Sequence, residues 1–107
     1  MNNTTVTLCH LHPEDLLKEG FFLRLNQAAL AHEPTIFLIH NRGYAGDMPL
    51  PMAFANPCLV DLAPAFRIRG ARIRPADLPS LLQRAEAVCS EGHGPFLIEL
   101  LEESSTC

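Results

Sequence analysis

Apolar and polar positions along the 107-residue chain change their period several times, and each change marks an element. Thr4 to Cys9 (TTVTLC) is short, β-branched and followed by polar residues, which predicts a strand. From Gly20 to His32 the apolar residues Phe22, Leu25, Ala29 and Leu30 recur at helical spacing until Pro34, predicting a helix of about three turns. Thr35 to Ile39 (TIFLI) is a continuous apolar run between Pro34 and the polar His40-Asn41-Arg42, as in a strand covered on both faces, so a parallel sheet is implied. Asn41 to Ala55, with Gly43, Gly46, Pro49 and Pro51, has no period and reads as a long loop.

Asn56-Pro57 has the form of an N-cap followed by proline at the first helical position, opening a short helix through Phe66 in which Pro64 falls awkwardly late. Ile68 to Ile73 predicts a strand with a kink at Gly70. Leu78, Leu81, Leu82, Ala85 and Val88 form one stripe of a helix that starts near Asp77 and stops at Gly92 and Gly94. Pro95 to Leu101 is the last strand, and residues 102–107 are expected to be a loose tail. The alternation predicts one α/β domain over residues 1–107. Its form is a small three-layer fold with a mostly parallel sheet of about four strands and right-handed βαβ crossovers.

Composition narrows the partners. Twelve acidic against eight basic residues, a formal charge of -4, disfavour a general phosphate-backbone binder, so nucleic acid is not expected. No apolar run approaches the roughly 20 residues of a membrane span, and residues 1 to 10 lack the basic start and apolar middle of a signal peptide. A soluble, cytoplasmic protein without a membrane partner is expected. Cys9, Cys58, Cys89 and Cys107 form no CxxC pair; Cys58 and Cys89 read as reduced core thiols and Cys107 as a terminal one.

Candidate ligands concentrate in His10-Leu-His-Pro-Glu-Asp15. His10 and His12 alternate and face one side of a strand, so with Glu14 or Asp15 they could hold Zn²⁺ or a similar ion; the plainer alternative is a polar strand end without a ligand. Asn41 is either a strand-ending turn residue or a ligand. Arg67, Arg69, Arg72 and Arg74 carry half of the positive charge; a phosphate or acidic-partner patch is conceivable, but arginines alternating with apolar residues more commonly mark the solvent side of a strand. No nucleophile is paired with a base, and no catalytic residue is assigned.

Several segments together resemble the diphosphate-binding domain of thiamine-diphosphate enzymes, of the E1 alpha and decarboxylase type. In that family a strand ends in GDG, a helix with a Leu-Asn-x-Ala-Ala pattern follows, an apolar strand ends in asparagine, and a closing segment reads GPxLIE. Leu25-Asn26-Gln27-Ala28-Ala29, Ile36 to Tyr44 and Gly94-Pro95-Phe96-Leu97-Ile98-Glu99 occupy those places in order. The resemblance covers nearly the whole chain and points to the C-terminal part of such a domain. It implies thiamine diphosphate and Mg²⁺ as cofactors. Glu14 stands where the family has the GDG aspartate, and Asn41 and the Gly43 carbonyl stand for its other Mg²⁺ ligands, which are oxygen donors suited to that ion.

Pro13-Glu14-Asp15 departs from GDG physically. Proline has no N–H for a phosphate and fixes φ, and glutamate is one methylene longer than aspartate. The expectation is therefore a fragment or subunit that carries the Mg²⁺-diphosphate half-site of a 2-oxo acid dehydrogenase or decarboxylase and is not catalytic alone. Its partner would be a second copy, giving a homodimer, or a chain carrying the missing thiamine-enzyme domain. Such a chain would leave a strand edge uncovered near the apolar runs at 35–39 and 95–101. The alternative is a non-catalytic α/β interaction domain that has lost the cofactor.

Overall fold

The computed structural model describes residues 5–41 and 59–102. Gly43, Cys58, Cys107, the loop after Asn41 and the helix start at Asn56-Pro57 lie outside the described residues. Strands β1 (Thr7–Leu11), β2 (Thr35–Asn41), β3 (Arg69–Ile73) and β4 (Phe96–Leu101) alternate with helices α1 (Phe21–Leu30), α2 (Leu62–Ala65) and α3 (Leu78–Ser90). The α/β alternation is as the hydrophobic pattern predicts. β1 starts and ends later than expected, so His10 and Leu11 lie inside it.

The four strands run parallel in the order β1-β2-β4-β3. Moving from β1 to β2 and from β2 to β3 goes one way across the sheet, and α1 and α2 pack on one face. Moving from β3 to β4 goes back, and α3 packs on the other face. Opposite directions on opposite faces give all three crossovers the same hand, as the rule for right-twisted strands requires.

The inner strands β2 and β4 are buried on both sides, which explains their unbroken apolar runs. Phe37, Ile39 and Leu97 meet Phe21, Leu25, Ala28 and Ala63 in one core layer; Ile36, Leu38, Ile98 and Leu100 meet Ala85 and Cys89 in the other. The apolar runs at 35–39 and 95–101 are the middle of the described sheet, and the edges that flank them are β1 and β3.

The buried stripe of α1 is Phe21, Leu25 and Ala28, at i, i+4 and i+7. Of the expected stripe Phe22, Leu25, Ala29 and Leu30, Leu25 is buried, but Phe21 and Ala28 take the places of Phe22 and Ala29, and Leu30 is 75% exposed. A sequence with apolar residues at both 21 and 22 permits either phase, and packing on β2 selects the first. Phe22 instead stacks on Phe66, with ring centroids 6.1 Å apart.

Two local features explain residues that look out of place in the sequence. Residues 59–66 form a short 3-10 turn (Leu59–Asp61) and then α2, rather than one helix, so Pro64 falls in a first turn where its missing N–H costs nothing. Gly70 is not a kink: a Cβ there would sit 2.5 Å from the Ala63 Cβ, so the glycine admits α2 against β3. Cys89 is a buried core thiol, as expected, and burial pushes its pKa up. Among the described residues no helix is long and apolar enough to cross a membrane.

Candidate functional site

In an open parallel sheet ligands gather at the carboxyl ends of the strands, where the backbone turns outward. Here that end carries Asn41 at the last position of β2, Glu99 within β4 and the turn that follows β1. Side chains alternate along a strand, so Asn41 and Glu99 share the face of Phe37, Ile39 and Leu97, under α1 and α2.

Glu99 is fully buried and satisfied by three elements. Its Oε2 accepts from Asn41 Nδ2 at 2.7 Å, and its Oε1 from the Val60 amide at 2.8 Å and, more weakly, from Arg72 Nε at 3.4 Å. Arg72 is therefore half-buried against a carboxylate, which corrects its expected place on the solvent side of β3. A carboxylate oxygen only accepts, so the Asn41 atom that faces it is the amide nitrogen, and Oδ1 is turned away from Glu99. A buried carboxylate in a strand so assigns the amide oxygen of its neighbour to other partners.

The turn after β1 is a 3-10 segment over Pro13–Leu17. Its Asp15 Oδ2 accepts from the His12 amide at 2.9 Å, and Oδ1 pairs with Lys18 Nζ at 2.8 Å. The Lys18 ammonium first, and then the His12 N–H, hold the Asp15 carboxyl below its ordinary range. Asp15 is a turn-former here, and Glu14, half-buried beside it, makes no such pairing among the described residues.

On the opposite face, the structure joins residues that the sequence scatters. His10 Nδ1 lies 2.8 Å from His40 Nε2, thirty residues away, and His40 Nδ1 lies 2.8 Å from Glu102 Oε2. The His12 ring is 5.8 Å from that of His40. Glu102, expected in a loose tail, is tied further by its N–H to the Asn41 carbonyl at 3.0 Å. Sequence reasoning did not single out Glu99, His40 or Glu102. The signal for Glu99 was available, since it is the one charged residue in FLIELL.

The donor chemistry of Glu14 and Asn41, two hard oxygens, fits Mg²⁺. The turn fits a diphosphate poorly: Pro13 has no N–H, and that of Asp15 is spent on the His12 carbonyl at 2.9 Å. Among the described residues no three His, Cys, Asp or Glu side chains converge into a metal site.

Comparison with known proteins gives this geometry a family. A model of the dehydrogenase E1 component matches residues 18–102. The chain is similar to the alpha subunit of acetoin:2,6-dichlorophenolindophenol oxidoreductase from Bacillus subtilis strain 168, with 32% identity over 80 residues, covering 72% of this chain and 24% of that protein. It is also similar to the subunit of the same name from Cupriavidus necator, with 36% identity over 85 residues, covering 76% and 26%. It thus spans about a quarter of the length of these relatives. An X-ray structure from Mycobacterium smegmatis, described as a thiamin diphosphate-dependent enzyme, superposes with a TM-score of 0.72 over 94% of this chain and 19% of that one. At 16% identity that likeness establishes the fold. The match over most of the length makes the chain a member of the dehydrogenase E1 component family.

Proposed function

We propose that the chain supplies the Mg²⁺-diphosphate half of a composite site in a 2-oxo acid dehydrogenase or decarboxylase-like assembly and is not catalytic by itself. The observation that carries this reading is the placement of Asn41 at the carboxyl end of β2, where its Nδ2 donates to buried Glu99 and so fixes the side chain. Asn41 Oδ1, the Glu14 carboxylate and the Gly43 carbonyl would hold the ion, and the ion would hold the diphosphate. Thiamine diphosphate, when bound, supplies a carbanion that attacks a 2-oxo acid and an electron sink once CO₂ leaves. The role of this chain is to bind and orient. The remaining groups come from a second copy or from a chain carrying the rest of a thiamine-enzyme site.

Calorimetric titration of the chain with thiamine diphosphate and Mg²⁺ tests the reading. Millimolar binding that requires Mg²⁺ and is lost in Asn41→Ala supports it. Binding that is independent of Mg²⁺ or indifferent to Asn41→Ala contradicts it. The second reading is an interaction domain that keeps the fold without the cofactor, favoured by Pro13 and by the engagement of Asp15 with Lys18 and the His12 amide. For that domain the titration is flat.

A further inference from the structure

We propose that His10 and His40 form a two-imidazole chelate for a late first-row divalent metal ion, typified by Zn²⁺, on the face of the sheet opposite to Asn41. Two ring nitrogens 2.8 Å apart need one hydrogen between them. Glu102 Oε2, 2.8 Å from His40 Nδ1, accepts the hydrogen of that nitrogen. With both rings neutral, His40 Nε2 presents a lone pair toward His10, and the bridging hydrogen belongs to His10 Nδ1.

A metal ion can take the place of that hydrogen without a change of protein charge. His10 moves its hydrogen to Nε2, and both facing nitrogens become donors. Zn–N bonds of about 2.0–2.1 Å at a tetrahedral centre set the two nitrogens about 3.3 Å apart. The pair must open by roughly 0.5 Å, which a small rotation of the exposed His10 ring provides. The carboxylate behind His40 is the outer-shell partner that metal-bound histidines ordinarily have; it fixes the tautomer and raises the basicity of the ligating nitrogen.

The remaining positions are open to water. His12 lies beside the pair, yet among the described residues no third His, Cys, Asp or Glu closes the site. Two imidazoles suit zinc, nickel or copper rather than Mg²⁺, which takes oxygen ligands. Because His40 and Asn41 are consecutive on β2, their side chains leave opposite faces, and this chelate does not depend on the diphosphate reading.

The test is a zinc chloride titration of the 107-residue chain by calorimetry, followed in parallel by ¹H–¹⁵N spectra of the histidine rings. The expected result is one zinc per chain at micromolar affinity, with His10 Nδ1 and His40 Nε2 shifting together. His10→Ala removes an exposed ring and is expected to weaken binding at least tenfold, and Glu102→Gln by about tenfold. His93→Ala, in a ring outside the cluster, should change nothing. No saturable binding up to millimolar zinc overturns the proposal. So does binding that survives His10→Ala, or that moves the His93 or His32 ring while leaving His40 unmoved.

Discussion

Asn41 and Glu99 are 58 residues apart in sequence and 2.7 Å apart in the fold, joined across two adjacent inner strands by one buried hydrogen bond. Truncating Glu99 strands the Asn41 amide, the Val60 N–H and the Arg72 guanidinium together. Glu99→Ala is expected to cost about 2–4 kcal/mol in urea denaturation, and Asn41→Ala about 1–2 kcal/mol. The double variant should cost less than the sum, because the two groups share one bond. Strict additivity would show that they are energetically independent.

The approach of α2 to β3 over Gly70 gives a second expectation. A Cβ placed 2.5 Å from that of Ala63 forces a shift, so Gly70→Ala should destabilise by about 1–3 kcal/mol. Ala63→Gly in the same chain makes room, and should recover part of the loss. Thermal melting of the three variants measures both effects. A neutral Gly70→Ala would mean that α2 is free to lift.

Glu33 provides a pH-dependent term. Its Oε2 lies 2.6 Å from Arg24 Nη2 and accepts from Thr35 Oγ1 at 2.8 Å; the guanidinium first, and then the hydroxyl, hold its pKa below the ordinary value of 4.5. A depressed carboxyl pKa stabilises the fold above 4.5, and that contribution is lost as pH falls from there through the lower folded value. With the two side chains 48% and 34% exposed, water screens the pair and the gain is about 1 kcal/mol at most. Glu33→Gln should lower the plateau of a stability-versus-pH curve above about pH 5 by up to about 1 kcal/mol and converge with the unmodified chain in acid, so its acid limb is flatter; equal stability of the two above about pH 5 would show that the pair contributes nothing.

The elements were legible because their periods differ. TIFLI and FLIELL are short apolar runs bounded by turn residues, which marks buried strands, and the α3 stripe has one phase. The stripe of α1 was not legible, since Phe21 and Phe22 allow two phases and only contact with Phe37 and Leu97 decides between them. Gly70 looked like a kink because a close helix leaves no local mark in the sequence. The site was half legible. Glu14 and Asn41 stand in segments that the family resemblance aligns, but the pairings of His10 with His40 and Asn41 with Glu99 depend on strand order, which alternation alone does not give.

Self-association is the expected state in solution. β1 and β3 are the edge strands of the described sheet, Leu8 on β1 is 41% exposed, and Phe22, Leu23 and Leu30 line the outside of α1. Light scattering over a wide concentration range should give a dimer or larger species; a symmetric dimer is the simplest closed form. A strictly monomeric chain that binds no hydrophobic dye would remove the subunit reading.

The placement of the cation by Asn41 is tested most directly with Mn²⁺ as a paramagnetic substitute for Mg²⁺. In ¹H–¹⁵N spectra recorded with thiamine diphosphate, broadening should centre on the Asn41 side-chain amide and the Glu14 backbone and vanish in Asn41→Ala. It should be weak when the diphosphate is omitted. Broadening centred instead on the His10 and His40 rings, or unchanged in Asn41→Ala, would contradict the half-site.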